Sequence, residues 1–177
     1  ISAYEFDFEK MIQRVFNVVQ VKVDEKRQTL SFEGGELFRR LMIGDELRLS
    51  QVLINLLGNA VKFTPELGRI DLKVGQTPLD ADHSLLHVEV RDTGIGMTPA
   101  EQSRLFNTFE QADSGITRKY GGTGLGLAIS KKIVNLMGGD IRVESAAGQG
   151  SLFAFSVKVG WGGPAPLAGL PAERQKP

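Results

Sequence analysis

Asn55, Asn59 and Lys62 stand at i, i+4 and i+7 in the middle of the chain. At about 100° per residue they fall together with Gln51 on one side of a helix, and Leu49, Val52, Leu56, Ala60 and Phe63 fall on the other. Amide oxygens are fair ligands for a hard divalent cation, and an ammonium three residues on can meet a phosphate. A solvated face is the plain alternative. Against it, asparagine is a mediocre helix former, and such a face usually carries more Glu, Lys and Arg. A second motif, Asp92-Thr93-Gly94-Ile95-Gly96, follows an alternating run. A carboxylate there can accept from an exocyclic amine, and glycines let backbone approach a planar ligand. A tight turn closed by an Asx bond explains the same residues. The third is Gly121-Gly122-Thr123-Gly124-Leu125-Gly126-Leu127, with four glycines in six residues. At a helix start, bare N–H groups and the positive dipole end suit phosphate. A hinge is the alternative. No Gly-Lys-Ser/Thr follows, so this is not a Walker loop, and Ile129 spoils a Rossmann fingerprint.

These motifs need elements to hold them. Phe8 to Val19 has apolar residues at helical spacing, and Gly44-Asp45 opens a second helix to about Phe63, with Asp45 a good N-cap type. Thr29 to Phe32 reads as a short strand. Arg69 to Val74 and Leu85 to Arg91 alternate as strands do, with a loop from Gln76 to Ser84 between them. Thr98 and Pro99 open a short helix to Phe109. Glu110 to Thr123 has no period, as in a lid or a disordered loop. Leu125 to Met137 is a third long helix, stopped by Gly138-Gly139. Ile141 to Ser145 and Ser151 to Val159 form a hairpin. The order predicts an α+β fold, a two-layer α/β sandwich, rather than a doubly wound sheet. Residues 1–159 form the domain, and the Gly- and Pro-rich residues 160–177 read as a linker or tail.

Composition narrows the function classes. Apolar residues make up 41% and charged residues 24% of the 177, as in ordinary globular proteins. The 21 basic and 21 acidic residues cancel, which argues against a surface built to neutralise nucleic-acid phosphates. There are no cysteines, hence no disulfide framework, thiolate zinc site or cysteine nucleophile. No apolar run reaches the about 18–20 residues of a membrane span, and the first residues lack a signal-peptide pattern. The expected location is cytoplasmic, without direct membrane contact by this domain. The chain starts at Ile1 rather than Met, as expected of a piece of a longer protein.

Taken in order, the motifs resemble the catalytic ATP-binding domain of sensor histidine kinases, within the gyrase, heat-shock chaperone, histidine kinase and MutL ATPase superfamily. Gly44 to Thr64 looks like the N box, Asp92 to Gly96 like the first glycine box, Phe106-Asn107-Thr108-Phe109 like the F box, and Gly122 to Leu127 like the second glycine box. The resemblance covers roughly Phe6 to Val159. It implies a mixed sheet of about five strands packed on three helices, with ATP between the helices and a mobile lid. It implies that Asn59 binds Mg²⁺ with Asn55 in support, and that Lys62 contacts phosphate. Phe63 would line or stack on the adenine, Asp92 would accept its amine, and Gly94 and Gly96 would let the base approach. Gly122, Thr123, Gly124, Leu125 and Gly126 would form the phosphate turn. Ser151 would place a hydroxyl near the adenine. Arg118 and Lys119 lie just before that turn, and either neutralising the γ-phosphate or remaining a solvated charge fits their position. Phe106 and Phe109 would anchor the lid, dock a neighbouring domain, or simply pack in the core.

Hydrolysing members of that superfamily carry a Glu one turn before the metal Asn; here that position is Asn55. An amide cannot take a proton from water as a carboxylate can. Transfer to another nucleophile is therefore expected, in the kinases a histidine on a separate dimerisation helix. The chain's two histidines, His83 in the Pro/Asp loop and His87 in a strand, read as structural or surface residues. Expected partners are ATP, that dimerisation and phosphoacceptor domain, and a response-regulator receiver domain. The run from Phe109 to Gly122 is especially like hybrid kinases, which carry a receiver downstream. Other readings are an anti-sigma-factor-type serine kinase, a non-catalytic nucleotide-binding regulatory module, and a gyrase- or MutL-type ATPase that Asn55 disfavours.

Overall fold

The computed structural model describes residues 2–106 and 126–166. In chain order the elements are β1 (Tyr4–Phe6), α1 (Phe8–Glu25), β2 (Thr29–Glu33), a 3₁₀ turn (Gly35–Arg39), β3 (Arg40–Gly44), α2 (Glu46–Phe63), β4 (Arg69–Pro78), β5 (His83–Asp92), α3 (Pro99–Ser103), α4 (Gly126–Leu136), β6 (Asp140–Ser145) and β7 (Ser151–Pro164). Seven strands form one sheet, ordered β1-β3-β7-β5-β4-β2, with β6 beside β7. The β2–β4 pair is parallel and the other pairs are antiparallel. This is the mixed α+β sandwich expected, with two strands more than expected. Of the added strands, β1 has three residues, too short for alternation to show, and β3 carries the consecutive apolar run Leu41-Met42-Ile43 instead of an alternating one. Their ladder runs onto β7, where Met42 faces Trp161 and Ile43 faces Gly160. Accordingly β7 continues to Pro164 rather than stopping at Val159.

One face of the sheet is apolar. Ile70, Leu72 and Val74 of β4, Leu86, Val88 and Val90 of β5, and Phe155, Val157 and Val159 of β7 share a continuous core with α1, α2 and α4. Val15, Val19 and Val23 line the buried side of α1, and Leu49, Leu53, Leu56 and Leu57 that of α2. Burial of this stripe, roughly 1.5–3 kcal/mol per large side chain, is what holds helices to sheet. The other sheet face carries Lys73, Glu89, Arg91 and Arg142, none of them buried.

Helix ends follow their side chains. Asp45 Oδ1 accepts from Arg48 N at 3.0 Å and caps α2. Thr98 and Glu101 form a reciprocal capping box that starts α3, but the helix stops at Ser103 instead of running to Phe109. The loop expected from Gln76 to Ser84 shrinks to four residues, because β4 and β5 pair from Ile70↔Asp92 out to Pro78↔Ser84. His83 therefore opens β5, bonded to Asp80, instead of lying in a loop. No helix among the described residues is long and apolar enough to cross a membrane.

Candidate functional site

The last turn of α2 carries Lys62 and Phe63, so its placement decides the site. Four hydrogen bonds fix it. Lys26 Nζ donates to the carbonyls of Val61 at 2.7 Å and Lys62 at 3.3 Å. Gln28 Nε2 donates to Val61 O at 3.1 Å and Thr64 O at 2.7 Å. The turn after α1 thus caps α2, satisfying carbonyls that a helix end leaves orphaned and setting a cation at the negative dipole end. Burial lowers the Lys26 pKa. Neither residue was singled out in the sequence, since a bond to a distant backbone carbonyl has no sequence signature.

Asp92 ends β5, opposite Ser151 of β7. The residue is 7% exposed, and its Oδ1 accepts from Gly94 N at 2.8 Å, the Asx bond of a tight turn. Burial pushes the carboxyl above the ordinary carboxylate range, opposed by the backbone N–H groups of Gly94 and Ser151. The turn after it is wedged from both sides. Ile95 N donates to Phe63 O at 3.2 Å, and a Cβ on Gly94 would lie 2.4 Å from that same carbonyl. On the other side Gly148 N donates to Ile95 O at 2.6 Å. Gly96 has φ +67°, and a Cβ there would lie 1.9 Å from Ala146 O. The fold itself thus requires glycine at 94 and 96, apart from any approach by a ligand.

The Ser151 hydroxyl meets Ser145 Oγ at 2.8 Å, and Ser145 Oγ also donates to Gly150 O and accepts from Met97 N. Gln102 of α3 donates to Met97 O and Ser145 O. Ser145 and Gln102 are thus parts of the site's frame that the sequence did not mark.

On the polar face of α2, Asn55 and Asn59 are half-buried and Lys62 is exposed. Asn55 Nδ2 donates to Ser130 Oγ of α4 at 3.0 Å, and its Oδ1 would lie 2.3 Å from a Cβ on Gly126. Asn55 is therefore a tie between α2 and α4. Asn59 makes no hydrogen bond to another described residue. Phe106 packs partly buried against the core, with Lys131 Nζ 5.2 Å from its ring centre. Phe109, Arg118, Lys119, Gly122, Thr123, Gly124 and Leu125 lie outside the described residues. Both histidines sit in β5: His83 bonds Asp80, and His87 lies between Thr77 Oγ1 at 2.7 Å and Ser156 Oγ at 2.9 Å.

This arrangement joins a buried carboxylate on a strand end to a helix bearing amides and a cation, linked through Phe63 O. Known proteins carry similar sequences and folds. Over 118 residues, 67% of this chain, the chain is 51% identical to the signal transduction histidine-protein kinase BarA of Escherichia coli (strain K12). Over 160 residues, 90% of this chain, it is 39% identical to hybrid signal transduction histidine kinase B of Dictyostelium discoideum. It spans 13% and 8% of those proteins' lengths. Among solved structures, full-length ShkA in complex with AMPPNP superposes with a TM-score of 0.74 at 31% identity, over 92% of this chain and 32% of that one. The catalytic domain of the histidine kinase ThkA superposes with a TM-score of 0.71 at 26% identity, over 89% of this chain and 98% of that one. Residues 44–160 match the model of the histidine kinase-, DNA gyrase B- and HSP90-like ATPases, and the chain belongs to that family.

Proposed function

We propose that this chain is the ATP-binding catalytic domain of a two-component sensor histidine kinase. It binds Mg-ATP and donates the γ-phosphoryl group to a histidine on a dimerisation domain of the same protein, which lies outside this chain. In a cytoplasmic relay of this kind the phosphoryl group passes on to a receiver domain. The observation that carries the reading is the junction at Phe63 O, which locks the Asp92 turn to the helix bearing Asn59 and Lys62.

Asp92 accepts the adenine amine from the end of β5, Gly94 and Gly96 line the base, and the Ser151 hydroxyl stands beside it. Phe63 lines the base from the helix side. Lys62, exposed one residue earlier, reaches phosphate. The half-buried amide of Asn59, with no bond to a described residue, suits a hard-cation ligand. Bound Mg²⁺ would neutralise phosphate charge there. Arg118, Lys119, Gly122, Thr123, Gly124, Leu125 and Gly126 complete the phosphate side. In the transfer, the bond from the γ-phosphorus to the bridging oxygen breaks and a nitrogen–phosphorus bond forms on the acceptor imidazole, with ADP leaving. Asn55 offers no carboxylate to activate water, and that supports transfer over hydrolysis.

The test mixes the chain with γ-labelled ATP, Mg²⁺ and the separately produced dimerisation helices of a histidine kinase. Acid-labile, base-stable label on the helices is the expected result. Steady release of inorganic phosphate without transfer would instead mark a gyrase-type hydrolase, and acid-stable label on serine an anti-sigma-type kinase.

A further inference from the structure

Ser130 sits on the first turns of α4, 75 residues from Asn55 in sequence, and is 2% exposed. A buried hydroxyl needs a hydrogen-bond partner, and Asn55 Nδ2 donates to Ser130 Oγ at 3.0 Å. An amide has two distinct ends. With the nitrogen end on Ser130, the oxygen end of Asn55 lies against Gly126, where a Cβ would stand 2.3 Å from it. Asn55 thus meets α4 with both ends of its amide.

We infer that Ser130 is a positioning residue: by holding the Asn55 amide it sets the spacing between the Asn59–Lys62 face of α2 and the first turn of α4 at Gly126. This rests on the proposed binding of ATP. It gives the expected supporting role of Asn55 a route, through α4, and it assigns Gly126 to close helix–helix packing as well as to phosphate. The spacing matters for the triphosphate, which would bridge the two helices. The base lies at the Asp92 turn, which is fixed instead by Phe63, Ala146 and Gly148.

The pair can be broken without creating a clash. Ser130→Ala, Asn55→Ala and the double variant are compared in the 177-residue chain. Thermal melting and calorimetric titration with Mg-ATP and with adenosine are the readouts. Ser130→Ala is expected to weaken Mg-ATP binding roughly fivefold, the scale of one net hydrogen bond, and to leave adenosine binding unchanged. A merely structural role would lower both affinities alike. The double variant is expected to bind Mg-ATP no worse than the weaker single variant, since the two side chains act as one unit. It should also melt above Ser130→Ala, because it no longer leaves a half-buried amide without its partner. Equal losses for ATP and adenosine, additive losses in the double variant, or an unchanged Ser130→Ala would each overturn the inference alone. Failure of the wild type to bind ATP would overturn the functional reading and this inference with it.

Discussion

The turn from Asp92 to Gly96 is held by backbone from two sides, whereas among the described residues the polar face of α2 is held at one of its side chains. At the turn, Phe63 O, Ala146 O and Gly148 N meet the main chain of residues 94–96 directly, and two glycines have no room for a Cβ. On α2, Asn55 is tied to Ser130, while the side chains of Asn59, half-buried, and Lys62, exposed, make no hydrogen bond to a described residue. A rigid frame suits recognition of a flat base, which always presents the same edge. Adjustable side chains suit phosphates and a cation, whose positions shift as a phosphoryl group leaves. Stability and chemistry should therefore separate along this division.

The sharpest break is Gly96→Ala. It forces a residue with a Cβ into φ +67° and against Ala146 O. The cost is expected to exceed about 2 kcal/mol in denaturant unfolding, through strain and displacement of the hairpin turn. A cost below about 0.5 kcal/mol would mean that the turn relaxes freely.

Next comes the C-terminal cap of α2. Gln28→Ala removes the bond to Thr64 O and one of the two bonds to Val61 O, which keeps Lys26 Nζ, and should cost roughly 1–3 kcal/mol through the Thr64 carbonyl left without its side-chain donor. Because the cap positions Phe63, binding of ATP should weaken with it. Stability lost with affinity intact would detach the cap from the site.

Asp92→Asn sharpens the comparison through pH. Burial raises the folded-state pKa of Asp92, so its charged form is the costly one. The stability tied to its protonated form is present below the unfolded pKa of about 3.9. It is lost as pH rises through the raised folded value. The Asn variant should therefore be the more stable protein at pH 7, and its advantage should shrink as pH falls toward 4. It should nonetheless bind ATP more weakly, having exchanged an ionised acceptor for a neutral one. Unfolding curves across pH for the two proteins check the sign, and an advantage that grows toward acid would contradict it.

Lys62→Ala should have the smallest effect on folding, within about 0.5 kcal/mol as for an exposed substitution. If the account holds, it lowers ATP affinity while leaving adenosine affinity alone.

Much of this frame could be read from residue order. Asp45 as N-cap, the apolar stripe of α2 and the alternation in β4 and β5 each reflect a local rule, and the fold keeps them. So does the polar face of Asn55, Asn59 and Lys62. What escaped was written in long-range contacts. β1 and β3 exist because β7 offers them an edge. Lys26 and Gln28 bond carbonyls 33–36 residues away. Ser130 is one serine among many until α4 lies against α2. The reason for Gly96 changed as well: proximity to a base was expected, and the structure adds a left-handed backbone under a neighbouring carbonyl.

The most direct test of the account is a calorimetric titration of the chain with ATP, with and without Mg²⁺, beside Asp92→Ala and Asn59→Ala. The account predicts Mg²⁺-dependent binding by the wild type, binding abolished in Asp92→Ala, and binding stripped of its Mg²⁺ dependence in Asn59→Ala with the fold intact. Wild-type binding that both variants retain unchanged would contradict it, because the nucleotide would then lie elsewhere on the domain.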